Sequence, residues 1–174
     1  MSLEEVRKRL QALDNKTIKA GWFREATYDG KTSVAQVATW NEHGTVIPVT
    51  EKMRGWFGVR GIHLKKSTTH IVVPPRPFLR PCCEENMAKW KQEMENSVQA
   101  VMEGNVTPDQ AAEMIGGMVV GDLQEAISKV REPPLSPVTV AFRASRKGGE
   151  TSDQPLNDTG YMIATVTFKV DDES

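Results

Sequence analysis

Apolar residues recur at three- and four-residue intervals in the opening segment. Leu3, Val6, Leu10 and Leu13 predict an amphipathic helix, which Asp14-Asn15 stops. The period then changes. From Thr17 to Phe23, Ile18, Ala20 and Trp22 alternate with polar neighbours and predict a half-buried strand. Thr27 to Lys31 is a turn. Ser33, with Gln36 three residues on, is a capping-box signature for a helix from Val34 to Glu42, closed by Gly44 with His43 in its last turn. A longer stripe runs through Met87, Trp90, Met94, Val98 and Val101 and ends at Gly104-Asn105. Thr107-Pro108-Asp109-Gln110 opens the next helix with a cap, a first-turn proline, an acid near the positive helix end and a glutamine box partner. Its inward positions are Met114, Ile115, Met118, Val119, Leu123, Ile127 and Val130. Asp158-Thr159-Gly160 caps a short turn or helix. Val166, Phe168 and Val170 then alternate with Thr165, Thr167 and Lys169 in a final strand.

This order predicts a single α+β domain over residues 1–174, a small mainly antiparallel or mixed sheet packed against helices. Residues 45–73 break the pattern. Met53, Trp56 and Phe57 lie there among cations and glycines, and Ser67 to Val73 is strand-like, so the segment is expected to leave the domain as a long, extended, hairpin-like excursion. Pro74-Pro75-Arg76-Pro77-Phe78-Leu79-Arg80-Pro81 follows it. Four prolines fix φ and remove donors, predicting a stiff bridge nearly free of hydrogen bonds, with Phe78 and Leu79 as anchors and Arg76 and Arg80 facing outward. Pro133-Pro134-Leu135-Ser136-Pro137 is a second stiff connector, and Arg143 to Asp153 reads as a polar, mobile loop. Gly116, Gly117 and Gly121 each cost about 1 kcal/mol against alanine in a helix interior, which close approach of another backbone would offset.

The net charge of −1 gives no global pull toward nucleic acid or membrane, but its distribution is uneven. From Val49 to Arg80 there are seven Lys and Arg against Glu51 alone; from Glu84 to Glu125 there are nine acids against Lys89 and Lys91. Such asymmetry fits either two solvated faces or a self-complementary subunit. Cys82 and Cys83 are adjacent, so no disulfide framework exists and a reducing compartment is expected. The opening residues lack a signal-peptide core and no run reaches membrane-spanning length, so the chain is expected to be soluble and cytoplasmic when made.

Little catalytic chemistry is present. Asp158-Thr159-Gly160 matches the aspartic-protease triplet, yet the preceding Gln154-Pro155-Leu156-Asn157 is not an apolar strand, and a helix cap accounts for the same letters. His43, His63 and His70 lack metal-ligand spacing, Cys82-Cys83 is no CxxC pair, and no nucleophile elbow or phosphate loop occurs. Cys82 and Cys83, at a helix start, are best read as packing residues. No enzyme activity, cofactor or metal is expected. The segment 49–80 also has the mix of cations and aromatics that stacks bases and neutralises phosphates, which leaves a nucleic-acid-binding accessory protein as the alternative.

Four landmarks stand in a recognisable order: Val37-Ala38-Thr39-Trp40-Asn41-Glu42-His43-Gly44-Thr45, the Pro75–Pro81 tract, Pro133-Pro134-Leu135-Ser136-Pro137-Val138-Thr139, and Pro155-Leu156-Asn157-Asp158-Thr159-Gly160-Tyr161-Met162. From about Ser33 to Val170 the chain resembles the virion morphogenesis proteins of tailed bacteriophages and prophages, the neck, tail-completion or minor tail components. The longer excursion, with Met53-Arg54-Gly55-Trp56-Phe57, is similar to the Mu-like branch. The resemblance implies a non-enzymatic structural subunit that acts in head–tail joining or tail completion, in the host cytoplasm during assembly and then in the virion. It would associate with other neck or tail proteins and with itself in a ring or oligomer. Lys52, Arg54, Trp56, Phe57, Arg60, Lys65, Lys66, Arg76 and Arg80 are the candidate assembly contacts.

Overall fold

The computed structural model describes residues 2–28, 30–145 and 153–172. In chain order the elements are α1 (Leu3–Asp14), β1 (Lys16–Gly21), β2 (Thr27–Tyr28), β3 (Thr32–Ser33), α2 (Val34–His43), β4 (Thr45–Pro48), α3 (Glu51–Val59), β5 (His70–Val73), α4 (Leu79–Glu103), α5 (Pro108–Lys129), α6 (Pro137–Ala144), α7 (Tyr161–Ala164) and β6 (Thr167–Asp172). The fold is α+β, with three separate antiparallel two-stranded ribbons: β1 with β6, β2 with β3 and β4 with β5.

The first and last strands meet. Lys16 lies opposite Asp172 and Gly21 opposite Thr167, so Ile18 pairs with Val170 and Ala20 with Phe168. This ribbon packs on α5, which also packs against α4. Gly116 is the point of closest fit: a methyl group there would lie 2.6 Å from Cγ of Phe168. What approaches this glycine is therefore an aromatic side chain of the same chain, not a second backbone. Gly117 and Gly121 face open space.

Local signals fixed several helix ends. The Thr107 hydroxyl accepts from Gln110 N–H while the Gln110 side chain accepts from Thr107 N–H, completing the expected capping box of α5. Ser2 and Glu5 make the same exchange at α1. Ser33 caps α2 by position only, because its side chain makes no cap hydrogen bond.

The core joins Val34 and Ala38 of α2, Phe78, Cys82 and Trp90 at and along α4, Leu123 and Ile127 of α5, and Leu156, Met162 and Val166 near the end of the chain. Burial raises the Cys82 thiol above its ordinary value, as expected of a packing cysteine. Two predicted stripes are wetter than their periodicity implies. Met87, Met94 and Val98 of α4 and Met114 of α5 remain exposed.

Candidate assembly surface

The excursion leaves and rejoins the domain at one tight crossing. Gly44 has φ +73°, and a side chain there would meet Pro75 N and Val73 O, both at 2.9 Å. Only glycine fits both the conformation and the contact. From this crossing β4 and β5 run out as an antiparallel ribbon, with Thr45 opposite Val73 and Pro48 opposite His70. The hairpin-like geometry is as expected, but its tip is not extended. Thr50 caps α3 by accepting from Met53 N–H, which makes residues 51–59 helical.

Arg54 holds this tip together from inside. Its guanidinium donates to the carbonyls of Lys65 at 3.0 Å and Thr68 at 2.5 Å, tying the return segment to α3. Lys52 and Trp56 of α3 and Arg60, its C-cap, recur every four residues and are exposed. The Arg60 guanidinium lies 3.8 Å from the Trp56 ring centroid and donates to Trp56 O at 3.2 Å. Trp56 also packs edge-on to half-buried Phe57 and against Phe142 of α6, so the tip touches its own domain. Lys65 and Lys66 are exposed.

The proline bridge differs from its expected form. Its prolines lack donors, but the residues between them supply several. Arg76 N–H donates to Asn41 O at 2.6 Å. Phe78, Leu79 and Arg80 N–H all donate to the Glu42 carboxylate, at 2.8, 2.9 and 3.2 Å. These are the donors that the first turn of α4 cannot satisfy internally, and a buried anion at a helix N-terminus also meets the positive end of its dipole. Burial alone would raise the Glu42 carboxyl; the three backbone donors outweigh it and hold the group below its ordinary range. Pro81 thus lies within the first turn of α4. Phe78 anchors the bridge, buried and edge-on to Trp22 at 5.9 Å, whereas Leu79 is exposed.

Arg76 does not face outward. It is 5% exposed, and its Nε and Nη2 donate to Pro133 O at 2.7 Å and Pro134 O at 3.0 Å. The second proline tract has no N–H at these positions and offers two carbonyls, which a guanidinium fork suits. Arg80 is exposed. Of the nine candidate contacts, Lys52, Trp56, Arg60, Lys65, Lys66 and Arg80 therefore reach solvent, while Arg54 and Phe57 are half-buried and Arg76 is internal. The acidic helices are partly committed too: Asp109 pairs with Lys16, Asp122 with Lys89 and the Trp90 indole, and Glu125 with Lys129.

Two features escaped the residue-by-residue reading. Val46 and Val72 are cross-strand partners on the ribbon and are 58% and 69% exposed, and Val59 at the end of α3 is 87% exposed. Val46-Ile47 and Ile71-Val72-Val73 are consecutive apolar residues with no alternation, so nothing in the sequence separates the exposed face from the covered one. The loop expected from Arg143 begins later, because Arg143 is buried in the last turn of α6. Arg143 donates to Gln154 O, Asn157 O and Pro155 O and pairs with Asp158 at 3.3 Å. Residues 146–152 of that loop lie outside the described residues. Asp158 is thus committed to a structural ion pair, and Gly160 caps α7.

Among the described residues no group of three or more His, Cys, Asp or Glu side chains is placed to hold a metal ion, and no helix is long and apolar enough to cross a membrane. No protein-family model, curated protein or solved structure matches the chain.

Proposed function

We propose that this chain is a non-enzymatic structural subunit of a tailed phage or prophage virion, acting in head–tail joining or tail completion or as a minor tail component. The observation that supports it best is the β4–β5 ribbon. A two-stranded ribbon is marginal alone, yet this one carries a cross-strand valine pair on its solvent side. Among the described residues neither strand has a further strand partner. An apolar, open-edged ribbon held on a rigid base suits contact with a neighbouring subunit or another neck or tail protein. The basic tip would give that contact its charge complementarity, and the motif order described above points to the same class.

Lysines at Val46 and Val59 (V46K with V59K) test this reading, because both positions are exposed and lysine blocks edge pairing. In a host that produces the particles, the double variant is expected to fold with unchanged circular dichroism and melting temperature, while infectious tailed particles fall sharply and unjoined heads or tails accumulate. Wild-type titres would refute the assembly role. Portal, capsid and tail genes beside the gene for this chain would support it independently. The nucleic-acid reading draws on fewer cations than the sequence suggests, because Arg54 is tied to carbonyls and Arg76 is buried. It would be favoured instead by a salt-dependent DNA shift that disappears on neutralising Lys52, Lys65 and Lys66.

A further inference from the structure

Behind the proline bridge lies a cleft of about 750 Å³, bordered by α2, β5, the second proline tract, α6 and residues 155–162. Its charged lining is unbalanced. Arg76 and Arg143, 5% and 7% exposed, both line it, and Asp158 is the single carboxylate that does so among the described residues. Asp158 pairs with Arg143, which also donates to the carbonyls of Gln154, Pro155 and Asn157. Arg143 therefore contributes charge and shape.

Arg76 is different. Its Nε and Nη2 are used by Pro133 and Pro134, whereas Nη1 has no partner among the described residues. No sealed side-chain nitrogen or oxygen lacks a partner among them either, so Nη1 is reached by solvent, and Arg76 lines the cleft. A guanidinium this buried, with a second one nearby, is short of negative charge; burial and then the like charge of Arg143 both disfavour its protonated form. Ser136, the N-cap of α6, and Thr139 in its first turn bring the positive end of that helix to the same wall. Val37, Leu135 and Met162 line the remainder.

We propose that this cleft is a binding site for an oxyanion, a carboxylate or phosphate group carried on a partly apolar body and received by Nη1 of Arg76. The volume exceeds what a bare ion fills and lies in the range of small-ligand sites. The oxyanion has two chemical sources, an acidic side chain of a partner polypeptide or a small free acid or phosphate ester. The inference does not rest on the virion reading, and its test uses the unassembled chain.

The full chain, labelled with nitrogen-15, is titrated at constant ionic strength with inorganic phosphate, with hexanoate and with the peptide Ac-Val-Asp-Val-NH2. Neutral hexanamide is the control, and the Nε–Hε signal of Arg76 is followed. A saturable shift with at least one anion and none with hexanamide is expected, and the tightest of the three identifies the source. Arg76→Lys keeps the charge but loses the fork and should weaken binding about tenfold. Asp158→Asn removes the cleft's own carboxylate and should tighten it about threefold. If Arg76→Lys fails to fold, the exposed Asp158→Asn decides alone. No saturable response to any of the three anions, equal shifts with hexanamide, or an affinity that Asp158→Asn leaves unchanged would overturn the proposal.

Discussion

Replacing Glu42 should test how the excursion is tied to the helical core. Its carboxylate accepts from three successive backbone N–H groups at the start of the 25-residue helix α4. In Glu42→Ala the buried Phe78 N–H loses its acceptor, at about 1–3 kcal/mol. Leu79 and Arg80 are exposed, so water can serve them. Loss of an anion at the helix N-terminus adds about 0.3–1 kcal/mol. The sum is about 1.3–4 kcal/mol, which for a chain of this size lowers Tm by roughly 2–4 °C per kcal/mol. Glu42→Gln keeps the shape and one acceptor, so about 1–2 kcal/mol is expected. Urea unfolding at several pH values supplies the assay. The folded-state carboxyl lies below its ordinary value, so its contribution is present above the unfolded pKa of about 4.3 and is lost as pH falls through the folded one. The gap between wild type and Glu42→Gln should therefore be full at neutral pH and close in acid. A Glu42→Ala variant within about 0.5 kcal/mol of wild type, the ordinary scatter of surface changes, or a gap independent of pH, would refute the cap.

Two other outcomes can be read from stability and exchange measurements. Gly116→Ala should destabilise by about 1–3 kcal/mol through overlap with the Phe168 ring, whereas Gly117→Ala, in open space, should stabilise by up to about 1 kcal/mol. Thermal melts showing the same sign for both would contradict the packing of β6 on α5. Arg54→Ala should raise amide hydrogen exchange in α3 and the return segment 62–69 by about tenfold, with α5 unchanged. Equal acceleration throughout would mean that the tip is not a separate unit.

The sequence was informative wherever a few neighbouring residues decide the structure. The capping box at Thr107 and the stop at Gly104 depend on contacts within one turn and appear as expected. The two alternating segments do form strands, but β1 ends at Gly21, before Trp22, and β6 begins at Thr167, after Val166, with Ala164 in α7. The helix over residues 51–59 was obscured because its two glycines and cations resemble a loop; a single Thr50 cap and the Arg54 network, made with residues more than ten positions away, override that composition. The candidate surface was only partly visible for the same reason. Lys52, Trp56 and Arg60 share a face by helical spacing alone, but the exposure of the Val46–Val72 pair depends on what else covers the ribbon.

Charge was where tertiary structure departed furthest from the chain's pattern. Two arginines expected to face outward or to lie in a loop, Arg76 and Arg143, are buried, and each donates to carbonyls of another proline-containing segment. Glu42, expected only as the last residue of one helix, became the cap of another. By itself the sequence determined the periods, caps and stops that set the elements, since those are local energies. Only the tertiary structure decided which donors and acceptors meet across the fold, and thereby which cations are left to face a partner.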